Sequence, residues 1–201
     1  MQHAPTTETT DLDVTAVIVC RDDEEVIGHR IRRLSAHLQA LGVRGEILAV
    51  DESSGDNTLP LLSLLRRELP ALKVVCGVAP GRGFVRGAEL ARGRALVLLD
   101  ARSEAPLSSL GFALARVSAN GGHDAFAVHG RYLVLRRARA LDAFDALSHR
   151  RDPRDLERRF LRRAKSLGLR VELAATRPEP ATPWRKLRDA VLVPLASRAW
   201  W

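Results

Sequence analysis

The sequence predicts an α/β protein built on a mostly parallel sheet flanked by helices, and three observations carry that expectation. Short apolar runs at 14–20, 47–50, 72–76 and 95–99 have the length of buried strands rather than helices. Between them the apolar spacing becomes helical, at Ile27, Ile31, Leu34, Leu38 and Leu41, then at Leu61, Leu62, Leu65 and Leu69. The two patterns alternate across short turns, which is the signature of βαβ units.

Taken in order, the first strand, 14–20, runs into Arg21-Asp22-Asp23-Glu24-Glu25, and its helix stops at Gly42. The second strand ends in Asp51-Glu52-Ser53-Ser54-Gly55-Asp56-Asn57-Thr58, and the Leu-rich helix that follows is closed by Pro70. After the third strand, Gly81-Arg82-Gly83-Phe84-Val85-Arg86-Gly87 reads as a turn with close backbone packing, then a short helix to Gly93. It follows the third strand, which is the wrong place for a dinucleotide fingerprint. The fourth strand delivers Asp100, and a helix spans Pro106 to about Ala119 before Asn120-Gly121-Gly122. Strands at 125–128 and 132–135 bracket His129-Gly130-Arg131. Asp152-Pro153 opens a helix with a capping aspartate and a proline in its first turn. Leu156, Phe160, Ala164 and Leu167 are its buried stripe, Gly168 its end, and Leu169, Val171 and Leu173 a last strand.

A chain of 201 residues with 46% hydrophobic side chains fits one domain. That domain is expected over 14–175, with a first half over 14–105 and a second over 106–175. Residues 1–13 are polar and lack the pattern of a signal peptide, so they read as a disordered tail on a cytoplasmic protein. Residues 176–201 read as a proline-rich linker and an amphipathic tail, with Trp184, Trp200 and Trp201 flanking a short apolar run. That composition suits a peripheral position on a membrane. Cys20 and Cys76 both read as buried free thiols. Residues 1–130 hold 14 basic and 16 acidic side chains and residues 131–201 hold 18 and 8, so the charge divides as −2 against +10. A basic final third is suited to an anionic partner, whether substrate phosphate or anionic lipid. Only 4% of residues are aromatic and no nucleic-acid motif occurs, which speaks against a nucleic-acid module despite a pI near 10.8.

The chemistry centres on the acidic turn after the second strand. An aspartate ending a buried strand is poor strand chemistry, so Asp51 reads as functional. Carboxylates at strand ends accept hydrogen bonds from a base edge or ribose hydroxyls, and Asp22, Asp51 and Glu52 suit that task. Asp56 and Asn57 are as well explained by capping their helix.

The stretch from Asp51 to Thr58 resembles the nucleotide-binding motif of family 2 glycosyltransferases. Asp22-Asp23 stand where that family has an asparagine-glutamate pair. Ala91-Arg92-Gly93 followed by Leu98-Leu99-Asp100 is similar to the approach to its metal motif. Asp155 to Gly168 is similar to the segment carrying its catalytic base. The resemblance covers 14–173 and implies a glycosyltransferase type A, Rossmann-like fold. It further implies a nucleoside diphosphate sugar as donor, transfer with inversion, and Asp155 as the base that takes the acceptor hydroxyl proton. The acceptor is undefined; the basic final third favours a phosphate-bearing or lipid-linked one. Asp22, Asp51, Glu52, Asp100 and Arg102 would then bind the nucleotide, and Asp100 would hold a divalent cation, manganese or magnesium.

Three departures accompany it. The metal motif reads Asp100-Ala101-Arg102, so an arginine replaces the second ligand and would itself meet the diphosphate. Arg154 replaces the glutamate before the base, and the glycine segment is short. Asp155 in a first helical turn is also explained by the helix dipole alone. Two readings therefore stand beside each other: an active transferase, and a degenerate relative that binds nucleotide or a partner without catalysis.

Overall fold

The computed structural model describes residues 12–104, 106–119, 122–128, 131–140, 143 and 153–174. The expected cap Asp152, the histidines at 129 and 149, and both tails up to Asp11 and from 175 lie outside them. Seven strands form one sheet: β1 (Val14–Cys20), β2 (Gly45–Asp51), β3 (Leu72–Val75), β4 (Ala95–Asp100), β5 (Ala125–Val128), β6 (Tyr132–Arg136) and β7 (Val171–Ala174). Their order is β3-β2-β1-β4-β6-β5-β7. Only β6 runs against its neighbours β4 and β5; the other pairings are parallel. The helices are α1 (Glu24–Leu41), α2 (Thr58–Glu68), α3 (Gly83–Leu90), α4 (Leu110–Ser118), the short α5 (Arg137–Ala140) and α6 (Pro153–Ser166).

Strand alternation divides the core into two layers. Ala16, Ile18, Ile47, Ala49, Val97 and Leu99 pack beneath α1, α2 and α4. Val17, Val19, Leu48, Val50, Leu96 and Leu98 pack beneath α3 and α6, where Phe84, Leu156 and Phe160 meet them. The same alternation decides which side of the sheet each terminal carboxylate serves. Asp51 is in phase with Ile47 and Ala49, on the α1/α2 side. Asp100 is in phase with Leu96 and Leu98, on the α3/α6 side.

Glycine sets the approach of α3. A Cβ at Gly87 would lie 2.3 Å from Val17 Cγ1, and one at Gly83 would lie 2.6 Å from Val19 Cγ1. The close packing expected there is present, but the helix already starts at Gly83 rather than after Gly87. Two other expectations are corrected. Cys20 is buried, but Cys76 lies just past β3 and is exposed. Asp13 belongs to the domain rather than a tail, because its N–H donates to the Arg44 carbonyl and its carbonyl accepts from Ala95.

Candidate functional site

Strands β1, β2 and β4 end together. Cys20 lies opposite Asp51 and Val19 opposite Asp100, so the residues just beyond form one rim at the carboxyl ends of parallel strands. The Cys20 thiol reports how much negative charge gathers there. Burial pushes its pKa well up, and Asp51, Asp23, Asp100 and Glu52 push it further.

On the α1/α2 side the loops after β1 and β2 are bonded to each other through carboxylates and backbone amides. Asp51 is only 2% exposed; its carboxylate accepts from the Ser54 N–H at 3.2 Å and from the Ser54 hydroxyl. Ser54 Oγ in turn accepts from the Asp22 N–H at 3.0 Å, and Asp22 Oδ1 accepts from the Gly55 N–H at 2.7 Å. Asp56 bridges the two helix starts, accepting from Thr58 N–H at 2.9 Å and Glu24 N–H at 3.1 Å. Burial would raise its pKa, but the bonds from Thr58 and Glu24 outweigh that and hold it below the usual range. Glu24 reciprocates to the Asn57 N–H at 2.8 Å. Asp56, not Asn57, thus does the capping at α2. Asp22 and Ser53 adopt left-handed φ of 52° and 56°, uncommon for residues with a Cβ. The loops hold an unfavourable conformation because this network over-determines it.

Asp23 and Arg102 tie this side to β4. Asp23 is buried, accepts from Arg21 N–H at 2.8 Å, and receives the Arg102 guanidinium at 2.5 Å. Arg102 also donates to the Asp22 carbonyl at 3.0 Å, while its own N–H donates to Asp100 Oδ1 at 2.8 Å. The partner Asp23 raises the Arg102 pKa, so this group is a fixed cation. A groove at this point is lined by Asp22, Asp23, Glu24, Glu25, Asp56 and Arg102.

On the α3/α6 side Glu52 is buried, and its Oε1 accepts from the Gly83 N–H at 2.7 Å. Its carboxylate therefore caps α3, where the helix dipole favours negative charge. Beside it a small cavity is lined by Phe84, Asp100, Arg131, Tyr132, Leu156 and Glu157. Glu157 is 5% exposed, although α6 is otherwise basic on its outer side. The burial of Tyr132 pushes its hydroxyl up to about 12, offset in part by a 2.7 Å bond with Ser109 Oγ. Its ring packs in the layer beneath α1, α2 and α4, so the hydroxyl is held on the α4 side rather than toward α6.

Of the residues singled out in the sequence, Asp22, Asp51, Glu52, Asp100 and Arg102 thus share one rim. Asp155 lies in the first turn of α6 by its main chain; its side chain is outside the described residues. Arg131 and Glu157 were missed, and Asp23, placed in the motif after the first strand, had been given no role in the site. Glu157 had a signal, since with Phe160 and Ala164 it keeps the i, i+3, i+7 spacing of a buried helical stripe.

The donor set does not fit a divalent cation held by the protein. Asp100 brings one carboxylate, with an N–H on Oδ1 and the Arg102 cation two residues on. Among the described residues no group of three His, Cys, Asp or Glu side chains is disposed to hold a metal. Nor is any helix among them long and apolar enough to cross a membrane.

No protein-family model matches the chain, and no curated protein sequence does. Solved structures do match, and they define the fold as that of glycosyltransferase type A nucleotide-sugar transferases. Residues 1–349 of S. aureus TarS superimpose with a TM-score of 0.63 at 14% identity, over 83% of this chain and 59% of that one. That protein has also been solved with UDP-GlcNAc. The mannosyltransferase PcManGT from Pyrobaculum calidifontis, solved with GDP-Man and Mn2+, gives 0.63 at 15%, over 90% and 62%. Mannosyl-3-phosphoglycerate synthase from Rubrobacter xylanophilus gives 0.56 at 17%, over 87% and 80%. The chain spans about three-fifths of the first two, and at these identities the likeness is one of fold.

Proposed function

We propose that this chain is a glycosyltransferase of the family 2 type, which moves a sugar from a nucleoside diphosphate sugar to a hydroxyl acceptor with inversion. The observation that carries the reading is the shared rim: Asp22, Asp51, Asp100 and Arg102 at the carboxyl ends of β1, β2 and β4, with Glu157 lining the same cavity as Asp100. In this reading the nucleoside lies against the Asp22–Asp51 loops. Arg102 faces the diphosphate and offsets the negative charge that grows on it as the glycosidic bond breaks. Its guanidinium already holds Asp23, so it is oriented before the donor arrives, and preorganised charge of this kind lowers a barrier without reorganisation. A carboxylate of α6 takes the acceptor proton. The family resemblance gives that role to Asp155; the buried Glu157 is the α6 carboxylate that lines a cavity together with Asp100.

A second reading is favoured by one observation. The guanidinium of Arg102 is already engaged by Asp23, and a relative that binds nucleotide without turnover would keep such a pair. Calorimetry with UDP and GDP, followed by release of UDP or GDP from UDP-GlcNAc and GDP-Man, separates the two. Binding with donor turnover supports the transferase; binding without turnover supports the second reading; no binding removes both. We expect turnover to survive chelator. Arg102→Asp, which restores a second carboxylate, should make it depend on manganese.

A further inference from the structure

Helix α6 carries its charge on one face. Arg158, Arg159, Arg162, Arg163 and Lys165 are exposed, whereas Leu156, Phe160 and Ala164 are buried against the sheet. At 3.6 residues per turn the five cations share a continuous outer arc. Among the described residues, no ion pair joins Arg159, Arg162, Arg163 or Lys165 to a carboxylate. Their charge is therefore not used within the fold.

The neighbouring strand β7 is the edge of the sheet, and it adds apolar surface. Leu173 is 61% exposed and in phase with Val171, which packs on the α6 side, so Leu173 lies on the same sheet face as α6. Leu167, just past the end of α6, is 37% exposed. These are two of the four large apolar side chains exposed among the described residues. Strand β7 points toward the rim: Ala174 pairs with Val128, next to Tyr132.

We propose that the outer face of α6, with the β7 edge, docks the protein on an anionic phospholipid membrane. Arg159, Arg162, Arg163 and Lys165, with an exposed leucine on the same sheet face, match phosphate headgroups over an acyl boundary. A single-stranded nucleic acid would want aromatic platforms. Among the described residues, however, Phe84, Phe126, Tyr132 and Phe160 are buried and Phe112 is half-buried. Docking through α6 also brings the Glu157 cavity, on the inner side of the same helix, close to the lipid plane. If the glycosyltransferase reading holds, the acceptor is then carried by lipid; the docking itself does not depend on that reading.

The test is co-sedimentation of the full chain, without nucleotide sugar, on phosphatidylglycerol–phosphatidylcholine vesicles and on phosphatidylcholine alone. Binding should need the anionic lipid and weaken with salt. The combined Arg159→Gln, Arg162→Gln, Arg163→Gln and Lys165→Gln variant should lose about fivefold in partition per cation removed. Its thermal midpoint should not move, since these side chains are exposed. Arg66→Gln with Arg67→Gln, on the exposed side of α2, should leave binding unchanged. Equal pelleting on neutral lipid, or an undiminished quadruple variant, overturns the proposal. So does release of the chain from vesicles by an equal charge of polyuridine, which would assign the face to nucleic acid. Failure here leaves nucleotide binding untouched, and failure of nucleotide binding leaves the vesicle result standing.

Discussion

The two sides of the rim are built on different principles. Between α1 and α2, the Asp51 carboxylate is bonded to a backbone amide of its own loop, that of Asp22 to one of the facing loop, and that of Asp56 to the starts of both helices. Beside α3 and α6, Asp100 and the buried Glu157 line a small cavity with Phe84, Leu156 and Arg131. The first side is a preformed frame, in which each acidic side chain fixes a loop and presents a neighbouring oxygen. The second is a small cavity in which two carboxylates meet apolar side chains and Arg131. A carboxylate motif in sequence therefore splits into groups that shape a site and groups that could act in it. The split follows from the phase of each residue on its strand.

The largest expected effect tests the acting side. Glu157→Gln should lower donor turnover about 10²–10⁴-fold, the usual share of a general base, while nucleotide affinity stays within about twofold. If turnover persists and Asp155→Asn abolishes it, the base is Asp155 and the pocket side loses its distinction.

Next comes the frame. Asp51→Asn should weaken UDP or GDP binding by about 1.5–3 kcal/mol, the worth of a hydrogen bond to a charged group. Calorimetry on the folded variant reads it. Unchanged affinity would make Asp51 a loop fixture only, through Ser54.

Gly87→Ala probes what sets the distance between the two sides, because its Cβ would meet Val17 Cγ1 at 2.3 Å. Overpacking of this kind costs about 1–3 kcal/mol, read as a lower thermal midpoint. Affinity for nucleotide should fall with it if α3 and Glu52 position the rim.

The smallest effect lies at the opposite end of the sheet and serves as a control. Buried Glu46 bonds Thr15 Oγ1 at 2.8 Å, Lys73 Nζ at 2.7 Å and the Arg92 guanidinium at 3.3 Å. Burial alone would raise its pKa, but the Lys73, Thr15 and Arg92 bonds outweigh it and the net shift is downward. A carboxylate with a depressed folded pKa contributes stability above its unfolded pKa and loses it as pH falls through the folded one. Glu46→Gln should therefore flatten the acid arm of stability against pH below about 4.5, without touching nucleotide binding. A change in affinity would mean that the two ends of the sheet are coupled.

The strands and helices were legible because burial writes its period into the sequence. Val14–Cys20 had to be a buried strand, and Ile27, Ile31, Leu34 and Leu38 one face of a helix. Gly42 ends α1 with φ 67°, as its position foretold. The acidic turn was legible for the same reason, since Asp51 stood out against its apolar strand. What the sequence left undecided concerns pairs distant along the chain. Glu52 had the chemistry of a ligand, and only the approach of Gly83, 31 residues on, turns it into a cap for α3. Arg102 had the look of a free cation until the fold brought Asp23 against it, 79 residues away. Glu157 sat unread in an arginine-rich helix until packing buried it in the lining of the cavity that Asp100 shares. Local periodicity is enforced by neighbours along the chain, so one sequence displays it. A carboxylate's role is set by which donor the fold brings to it, and that partner is chosen by strand order and phase rather than by sequence distance.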